Sequence, residues 1–196
     1  MTEITPDFSF RAESYIKKLS TCFTDSNLRV MEELANDLYE AWVNKRQIFI
    51  CGNGGSAANA IHMANDFHYG VGACGAEPKM PGLKVEALSA NTGIITCLAN
   101  DTGYENIYSH QLEVKASTND LLIVLSGSGN SPNIINALKT AQRINLESYA
   151  IVAFNGGRCK EIASNTIHIE VDDMQIAEDT QLIIGHICMK WLSSNK

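Results

Sequence analysis

The hydrophobic pattern changes near residue 46, and from there on short apolar runs alternate with longer amphipathic segments. The apolar runs predict β-strands at residues 47–51, 83–88, 120–125, 148–154 and 166–170. The segments between and after them predict α-helices at residues 58–67, 92–100, 132–144 and 176–192, with a loop at residues 70–82. Short, almost wholly apolar strands that alternate with helices are typical of a parallel sheet covered on both faces. The pattern therefore predicts an α/β fold of three αβα layers around a mainly five-stranded parallel sheet.

The first 45 residues have a helical pattern instead, which predicts an N-terminal helical hairpin. Apolar side chains in its second helix recur every three or four residues and form one stripe of Leu28, Met31, Leu34, Ala35, Leu38, Tyr39 and Trp42. Asp25 or Ser26 is the expected N-cap of that helix. The hairpin can either close over the sheet or pack against another subunit, and the sequence leaves both open. We expect residues 1–196 to form a single domain, with the hairpin at 1–45 and the α/β core at 46–196.

The last predicted helix also has one apolar side. Its expected buried side chains are Ile176, Ile183, Ile184, Ile187, Cys188, Trp191 and Leu192. These recur at helical spacing, so the helix is expected to lie on the sheet.

Composition narrows the class of protein. Of 196 residues 45% are hydrophobic, and the formal net charge is −7, from 22 acidic and 15 basic residues. The basic residues are scattered, so the chain lacks the basic stripe of a nucleic-acid-binding protein. The N-terminal residues MTEITPDFSF do not resemble a signal peptide, and no apolar stretch reaches the ~20 residues of a membrane span. The six cysteines show no zinc-cage spacing. We expect a cytoplasmic protein with reduced cysteines and no nucleic-acid or membrane partner.

A glycine-rich turn, here named the first corner, follows the first predicted strand and leads into a helix. It comprises Gly52, Asn53, Gly54, Gly55 and Ser56. Glycines let the backbone approach a ligand closely, and the free N–H groups of the helix start then point at an anion. The first corner alone leaves three interpretations open. It can be a phosphate site, a turn without a ligand, or a dinucleotide site, because its glycines also fit a relaxed dinucleotide fingerprint.

A second turn of similar composition, the second corner, follows the most apolar predicted strand. It comprises Ser126, Gly127, Ser128, Gly129, Asn130 and Ser131, and Pro132 follows in the expected first turn of a helix. Its hydroxyls and the helix amides can converge on one anion, although a serine-rich capping turn has the same composition. A dinucleotide site needs no second serine loop. Together the corners favour a phosphorylated sugar as the ligand, with no nucleotide cofactor.

The segments CGNGGSAANAIH and LSGSGNSPNII, in this order and separation, resemble the two loops of SIS (sugar isomerase) domains, and most closely those of the phosphoheptose isomerase group. The resemblance covers nearly the whole chain. It implies substrate contacts in both corners, at Asn53, Gly54, Gly55, Ser56, Ser126, Gly127, Ser128, Asn130 and Ser131. It also implies a homotetramer with sites between subunits. Gly127 stands where the family commonly has a threonine, so one hydroxyl is missing.

The helix after the first corner carries the expected proton-transfer residues. His62 and Asp66 are four residues apart and therefore share one helix face. The resemblance implies that His62 is a zinc ligand and that Asp66, in place of a glutamate, is a ligand and the general acid–base. On the last helix it implies a metal and sugar contact at Gln181 and a substrate contact at Glu178. We therefore expect catalysis by Asp66, His62 and Gln181, with zinc held by the same residues.

Two positions depart from the resembled isomerases. Met189 stands where they have a catalytic histidine, and Gly70 stands where they have a substrate-binding arginine. His186 lies near Met189 but points about 140° away from Gln181 at helical spacing. It would replace the missing histidine only if the register of the helix differs, and is otherwise expected to be a polar helix residue or a subunit contact.

Asn100 and Asp101 belong to another family-like segment and are expected to contact substrate, although an Asp/Gly turn has the same composition.

Two function hypotheses follow. The first is ketose–aldose isomerisation of a phosphorylated heptose, or a related sugar, for surface polysaccharide. The second is a non-catalytic SIS protein that binds a sugar phosphate or a protein partner, as a replication-initiator-associating branch of the superfamily does. Met189, Gly70 and the AANA stretch at residues 57–60 favour the second hypothesis, whereas the acidic Asp66 favours the first.

Overall fold

The computed structural model describes residues 7–73 and 79–195. Its strands form one parallel sheet in the order β2-β1-β3-β4-β5. They are β1 (Gln47–Gly52), β2 (Lys84–Ala87), β3 (Leu121–Ser126), β4 (Glu147–Val152) and β5 (Asn165–His168). The predicted α/β fold with a five-stranded parallel sheet is confirmed.

Helices precede and connect the strands. The hairpin consists of α1 (Phe8–Ser20) and α2 (Asp25–Val43), and α3 (Gly55–Asn65) follows β1. A π-helical turn (Asp66–Gly70) and the short α4 (Val71–Ala73) continue α3 without a break. The other helical segments are α5 (Thr92–Thr102), a 3₁₀ turn (Tyr104–Asn106), α6 (Ser109–Lys115), α7 (Pro132–Arg143), α8 (Gly157–Ile162) and α9 (Met174–Ser194).

The core lies in two layers, one on each face of the sheet. Successive strand residues point to opposite faces. On one face Ile123 and Ile151 pack with α2, α3 and α9. On the other face Val124 and Val152 pack with α6, α7 and α8. Every residue of β3 is buried, since both of its faces are covered.

The two helices of the hairpin are held differently. α2 buries Met31, Leu34, Ala35 and Leu38 of its predicted stripe in the core layer that it shares with the sheet, so this helix closes over the sheet. Leu28 is 45% exposed, so the stripe is narrower than predicted. α1 has no buried side chain. It is attached to α9 by the Tyr15 hydroxyl, which donates to Asp179 at 2.6 Å, and by Lys18, which donates to Asp173 at 3.0 Å.

Two predictions about helix ends are wrong. The N-cap of α2 is Thr24, whose hydroxyl accepts a backbone N–H at 3.3 Å, and neither Asp25 nor Ser26. The expected loop at 70–82 begins as helix, because the π turn and α4 extend α3 as far as residue 73. Residues 74–78 of that loop lie outside the described residues.

The predicted buried side of α9 is too wide. Ile187 and Trp191 are 44% and 37% exposed, whereas Ile184 and Cys188 are buried. Sequence spacing alone does not show which residues at the margin of an apolar helix face are buried, because their burial depends on whether a neighbouring element covers them. The short helices α6 and α8 were not predicted. No helix in the described ranges is long and apolar enough to cross a membrane.

Candidate functional site

Both corners lie at the carboxyl edge of the sheet, on neighbouring strands. Gly52 at the end of β1 pairs in register with Leu125 of β3. The strand order reverses here, since α3 leaves β1 toward one face and α7 leaves β3 toward the other. Such a reversal opens a crevice in which doubly wound sheets bind ligands. The fold thus brings the two corners together at its expected ligand crevice.

The first corner needs glycine and contacts α9. Gly54 has a φ of 55° and a ψ of −122°, which side-chain-bearing residues rarely adopt. Ser56 is buried, and its hydroxyl accepts a hydrogen bond from the Gln181 amide at 3.1 Å. The Glu178 carboxylate lies so close to Gly55 that a Cβ there would collide with it. A carboxylate beside the start of α3 is stabilised by the free N–H groups of the helix.

A buried asparagine that was not predicted joins the two corners. Asn53 and Asn133 exchange two hydrogen bonds, in which each amide nitrogen donates to the other amide oxygen at 2.8 Å. Asn133 lies in the first turn of α7 and is 1% exposed. The Tyr104 hydroxyl also donates to Asn53, at 3.0 Å. The one sequence signal was an amide among the apolar residues of α7, because buried polar groups are nearly always paired.

The second corner is stabilised by its own hydrogen bonds. The Ser126 hydroxyl accepts from the Gly129 N–H at 3.1 Å, and the Ser128 hydroxyl accepts from the Asn130 N–H at 3.3 Å. The Asn130 side chain donates to the Ser128 carbonyl at 3.0 Å and accepts from the Arg158 N–H at 3.1 Å. The corner is therefore tied to the start of α8.

Two hydroxyls of this corner are accessible. Ser128 is exposed, and Ser131 is partly exposed at the N-cap of α7. The Ser131 side chain makes no capping hydrogen bond to the helix. Both hydroxyls are therefore free to donate to an anionic ligand.

Neutral groups lie beneath the first corner. The Tyr108 hydroxyl donates to the Gly52 carbonyl. Burial raises the pKa of Tyr108 and also that of the Cys51 thiol. Both groups stay protonated near neutral pH. They add no negative charge that would repel a phosphate.

Three side chains form a cluster between α3 and α9. Asp66 Oδ2 lies 3.4 Å from His62 Nε2 and 3.4 Å from His186 Nε2, and the two nitrogens are 3.0 Å apart. The side chains of His62 and His186 are 50% and 48% exposed, and that of Asp66 is 19% exposed. Within the described ranges, no other three His, Cys, Asp or Glu side chains bring ligand atoms this close together.

Helix geometry positions the cluster. His62 and Asp66 share a face of α3, and the π turn begins at Asp66. Such turns recur at functional sites. α9 approaches α3 closely at Gly185, where a Cβ would lie 2.8 Å from Met63 Cγ. Met63 and Gly185 adjoin His62 and His186 in sequence, so this close approach sets the distance between the two imidazoles.

Gln181 and His186 lie on different parts of α9. Gln181 is 1% exposed, and its amide oxygen accepts from Asn59 at 3.0 Å while its amide nitrogen donates to Ser56. It therefore contacts the first corner. His186 is exposed, as expected of a polar surface residue, and its imidazole also lies in the cluster. The roughly 140° between residues 181 and 186 turns them toward different parts of α3.

Asn100 and Asp101 lie at the C-terminal end of α5, where both are exposed. Asn100 donates to Asp101 at 2.6 Å, and the Cys97 thiol contacts the other Asp101 oxygen at 3.6 Å. From the same segment, Tyr104 reaches Asn53. Tyr104 was not among the predicted site residues.

Comparison with known proteins identifies the family. Residues 13–153 match the SIS domain family. The chain belongs to this family. A phosphoheptose isomerase of Aneurinibacillus thermoaerophilus is 33% identical over 164 residues, which are 82% of this chain and 78% of that protein. A phosphoheptose isomerase of Sulfurimonas denitrificans is 34% identical over 169 residues, which are 85% of this chain and 84% of that protein.

Solved structures agree on the SIS fold. The phosphoheptose isomerase from Francisella tularensis superposes with a TM-score of 0.86 at 21% identity, covering 96% of each chain. The phosphoheptose isomerase from Neisseria gonorrhoeae gives 0.84 at 22% identity, covering 94% of this chain and 95% of that one. The family resemblance of the two corners is confirmed.

The glycines that depart from the SIS pattern lie against methionines of α9. A Cβ at Gly70 would lie 2.7 Å from the Met189 methyl, and one at Gly127 would lie 2.6 Å from the Met174 sulfur. Each methionine fills the space that a larger side chain would need. The departures at Gly70 and Met189 are therefore in contact with each other, and an arginine at residue 70 would displace the methionine side chain.

Proposed function

We propose that this SIS protein is a ketose–aldose isomerase for a phosphorylated sugar, of the phosphoheptose (sedoheptulose 7-phosphate) type, which serves surface-polysaccharide heptose synthesis. The observation that carries the proposal is the pair of serine- and glycine-rich corners at the sheet crevice, with a His–Asp cluster on the helix that leaves it. Relatives at 33% and 34% identity over most of the chain are named phosphoheptose isomerases, which supports the substrate class.

The second corner is the proposed phosphate site. Ser128 and Ser131 donate to phosphate oxygens, while the Ser126 and Asn130 side chains hold the loop in shape. Hydrogen bonds to a charged group contribute about 1.5–3 kcal/mol each. The first corner then contacts the sugar through Asn53 and the backbone around it. Glu178 suits hydroxyl groups there, because a second anion beside its carboxylate would be repelled.

The spacing along α3 fits a substrate that reaches from the crevice to the cluster. His62 lies six residues after Ser56, or about 9 Å along the helix axis. A sugar whose phosphate is held at the second corner would cross the first corner and extend along this helix to reach the cluster. Binding at the phosphate end would therefore position the carbonyl end near His62 and contribute to orientation of the reacting atoms.

Isomerisation moves one proton between carbons 1 and 2 and another between their oxygens. Asp66 takes the carbon-bound proton and returns it to the adjacent carbon, and His62 moves the proton between the oxygens. Asp66 Oδ2 faces the imidazoles, while Oδ1 has a long 3.4 Å contact from Asn65 and remains available. Gln181 acts through Ser56, whose hydroxyl it orients.

A divalent metal fits the cluster by donor type, because zinc binds imidazole nitrogen and carboxylate oxygen. His62 and Asp66 would hold it, and with His62 Nε2 bound to the metal the oxygen-bound proton would exchange through solvent instead of through His62. When bound, such a metal polarises the substrate carbonyl. The proton transfers above are assigned to this chain's own side chains.

A homotetramer is the proposed assembly. Ile61 and Ile187 adjoin the cluster histidines in sequence and are both 44% exposed, while Phe8 and Ile16 of α1 are 81% and 64% exposed. Contiguous exposed apolar surface marks protein interfaces. Light scattering after gel filtration measures the assembly. Ile187→Glu is expected to shift it to smaller species, and an unchanged assembly would remove this face from the interface.

Deuterium exchange tests the isomerase proposal directly. In D₂O, proton abstraction labels carbon 1 of the ketose or carbon 2 of the aldose, and NMR detects the label. We expect sedoheptulose 7-phosphate to be labelled and converted. If it binds but neither exchanges nor converts, with or without added zinc, the isomerase proposal fails.

Binding without exchange or conversion would favour the alternative function, a non-catalytic SIS protein that binds a sugar phosphate or a protein partner such as a replication initiator. One observation favours it. The packing of Met189 on Gly70 fills space where the resembled isomerases have two functional side chains. Calorimetry with sugar phosphates would then show binding at the corners without turnover.

A further inference from the structure

Two tyrosines of one short segment contact neighbouring residues of the first corner. The Tyr108 hydroxyl donates to the Gly52 carbonyl, and the Tyr104 hydroxyl donates to Asn53 Oδ1 at 3.0 Å. Tyr108 is buried, whereas Tyr104 is 53% exposed. Tyr108 therefore belongs to the core beneath the corner, while Tyr104 contacts the corner from the protein surface.

Tyr104 is held by a turn that is attached to α7. Gly103 caps the C-terminus of α5 with a φ of 92°, a value that favours glycine, and the 3₁₀ turn begins at the next residue. Asn136 of α7 donates to the Glu105 carbonyl at 3.0 Å. α7 therefore carries the amide that bonds Asn53 and, one turn further on, the amide that holds the turn bearing Tyr104.

A backbone N–H sets the direction of the amide hydrogen bonds between the corners. The Ile134 N–H donates to Asn133 Oδ1 at 3.0 Å, and a backbone nitrogen can only donate. The oxygen of the Asn133 amide is thereby fixed, so the nitrogen of that amide faces Asn53 Oδ1. Asn53 in turn directs its own nitrogen to Asn133 Oδ1. Reversal of either amide would place two donors or two acceptors against each other.

Tyr104 occupies the remaining acceptor site of the Asn53 oxygen. An amide oxygen accepts two hydrogen bonds, and those of Asn53 come from Asn133 and Tyr104. The amide nitrogen has two N–H groups, of which one donates to Asn133. The second N–H has no acceptor among the described residues, and Asn53 is partly exposed. Asn53 therefore offers a ligand one N–H donor and no acceptor.

We propose that Tyr104 is a positioning residue, which makes Asn53 a contact that only donates to the sugar. The ligand atom that Asn53 selects is then an oxygen that accepts, such as a hydroxyl or carbonyl oxygen, and an ammonium group is excluded from that place. The inference rests on the proposed function for the contact between Asn53 and the sugar. Without the Tyr104 hydroxyl, the Asn53 oxygen regains an acceptor site, and the side chain loses one of the bonds that orient it.

Calorimetry with two probes tests this role without a measurement of turnover. Sedoheptulose 7-phosphate reports the sugar and phosphate contacts together, while inorganic phosphate reports the second corner alone. We expect Tyr104→Phe to weaken binding of sedoheptulose 7-phosphate by roughly 3–10-fold, because one hydrogen bond is lost, and to leave the affinity for inorganic phosphate unchanged. Since Tyr104 is exposed, phenylalanine can replace it without loss of core packing.

A double-variant cycle shows whether Tyr104 acts through Asn53. If it does, adding Tyr104→Phe to Asn53→Ala causes no further loss of affinity, since the group that the hydroxyl orients is already absent. Tyr15→Phe is the matched control, because it also removes a tyrosine hydroxyl that donates to a side chain, in this case Asp179 on α9. It should leave binding of both probes unchanged.

The inference is overturned if Tyr104→Phe binds sedoheptulose 7-phosphate as the parent does, if it weakens both probes equally, or if its effect adds in full to that of Asn53→Ala. Failure of the proposed function gives a different result. Sugar-phosphate binding that depends on Tyr104 but is not accompanied by deuterium exchange would remove the isomerase and retain this role. Exchange by the parent, with parent-like affinity in Tyr104→Phe, would remove this role and retain the isomerase.

Discussion

The two corners and the His–Asp cluster are built in different ways. In the second corner the Ser126 hydroxyl bonds Gly129 three residues away, and the Asn130 side chain bonds Ser128 two residues away. The cluster instead joins His62 to His186, 124 residues apart. The turn of the second corner is therefore held largely by local hydrogen bonds, while the cluster depends on how α9 packs against α3. Ligand binding and chemistry should consequently respond separately to mutation.

The largest expected effect is that of Asp66→Asn. The amide cannot accept the carbon-bound proton, so kcat should fall about 10²–10⁴-fold, while the KM for the sugar phosphate stays within a few-fold. Steady-state kinetics measure both. Asp66→Glu is the matched control, because it keeps the carboxylate, and it should retain most of the activity. Parent-like turnover by Asp66→Asn would transfer the base role to another group.

For Ser131→Ala in the second corner we expect the reverse of the Asp66→Asn result, a change in KM with little change in kcat. Loss of one hydroxyl to the phosphate should raise KM by roughly 10–100-fold, and kcat should change much less. The control is Ser194→Ala, whose hydroxyl donates to the Lys190 carbonyl at the far end of α9, and which should leave both constants unchanged. If Ser131→Ala lowers kcat alone, the phosphate does not bind at this corner.

Asn133→Ala tests the link between the corners. It leaves the partly buried Asn53 amide without its two 2.8 Å bonds, so the free energy of unfolding should fall by about 1–3 kcal/mol. Urea denaturation measures the loss, and sugar-phosphate affinity should fall with it. Asn136 lies on the same helix and donates to the Glu105 carbonyl. Asn136→Ala should lower the free energy of unfolding by less. Equal decreases for the two variants would mean that the Asn53–Asn133 pair stabilises the protein no more than the single hydrogen bond of Asn136 does.

The smallest expected effect concerns the start of α9. The pKa of Asp173 is lowered, first by the hydrogen bond from Lys18 and next by the Ile176 N–H. A lowered pKa adds stability above the unfolded value of about 3.9, and that stability is lost as pH falls through the folded pKa.

Asp173→Asn keeps a capping side chain and removes the ion pair. It should lower Tm by about 1–3 °C at pH 7, and the difference should shrink as pH falls through the folded pKa of Asp173 and vanish below it. Lys18→Gln should give the same shift, and the double variant should show no further loss. A difference that does not shrink as Asp173 becomes protonated would mean that the cap, and not the charge, is responsible.

Much of the fold and half of the site follow from local sequence. The five strands were placed within two residues of their observed ends, because buried parallel strands are almost continuously apolar. The corners could be located because glycine and serine have specific roles in a strand-to-helix turn. His62 and Asp66 share a face because the helix period is 3.6 residues.

The remainder depends on contacts between distant segments. The sequence marks Asn133 only as an amide among apolar residues and does not identify its partner, because Asn53 lies 80 residues away. For the same reason the Gly70–Met189 departures could not be recognised as one packed pair. Each of these contacts forms only when whole helices and strands pack together, so short-range sequence patterns do not reveal it.

The sequence by itself determined the parallel α/β sheet, the serine and glycine corners that close its crevice, and the His62–Asp66 face of α3. Only the tertiary structure decided that Gln181 holds Ser56 and that His186 joins the histidine and aspartate of α3. The physical reason is that turn chemistry and helical period act within a few residues. The register of α9 on α3, in contrast, is set by the close approach at Gly185 and by core packing along the whole of both helices.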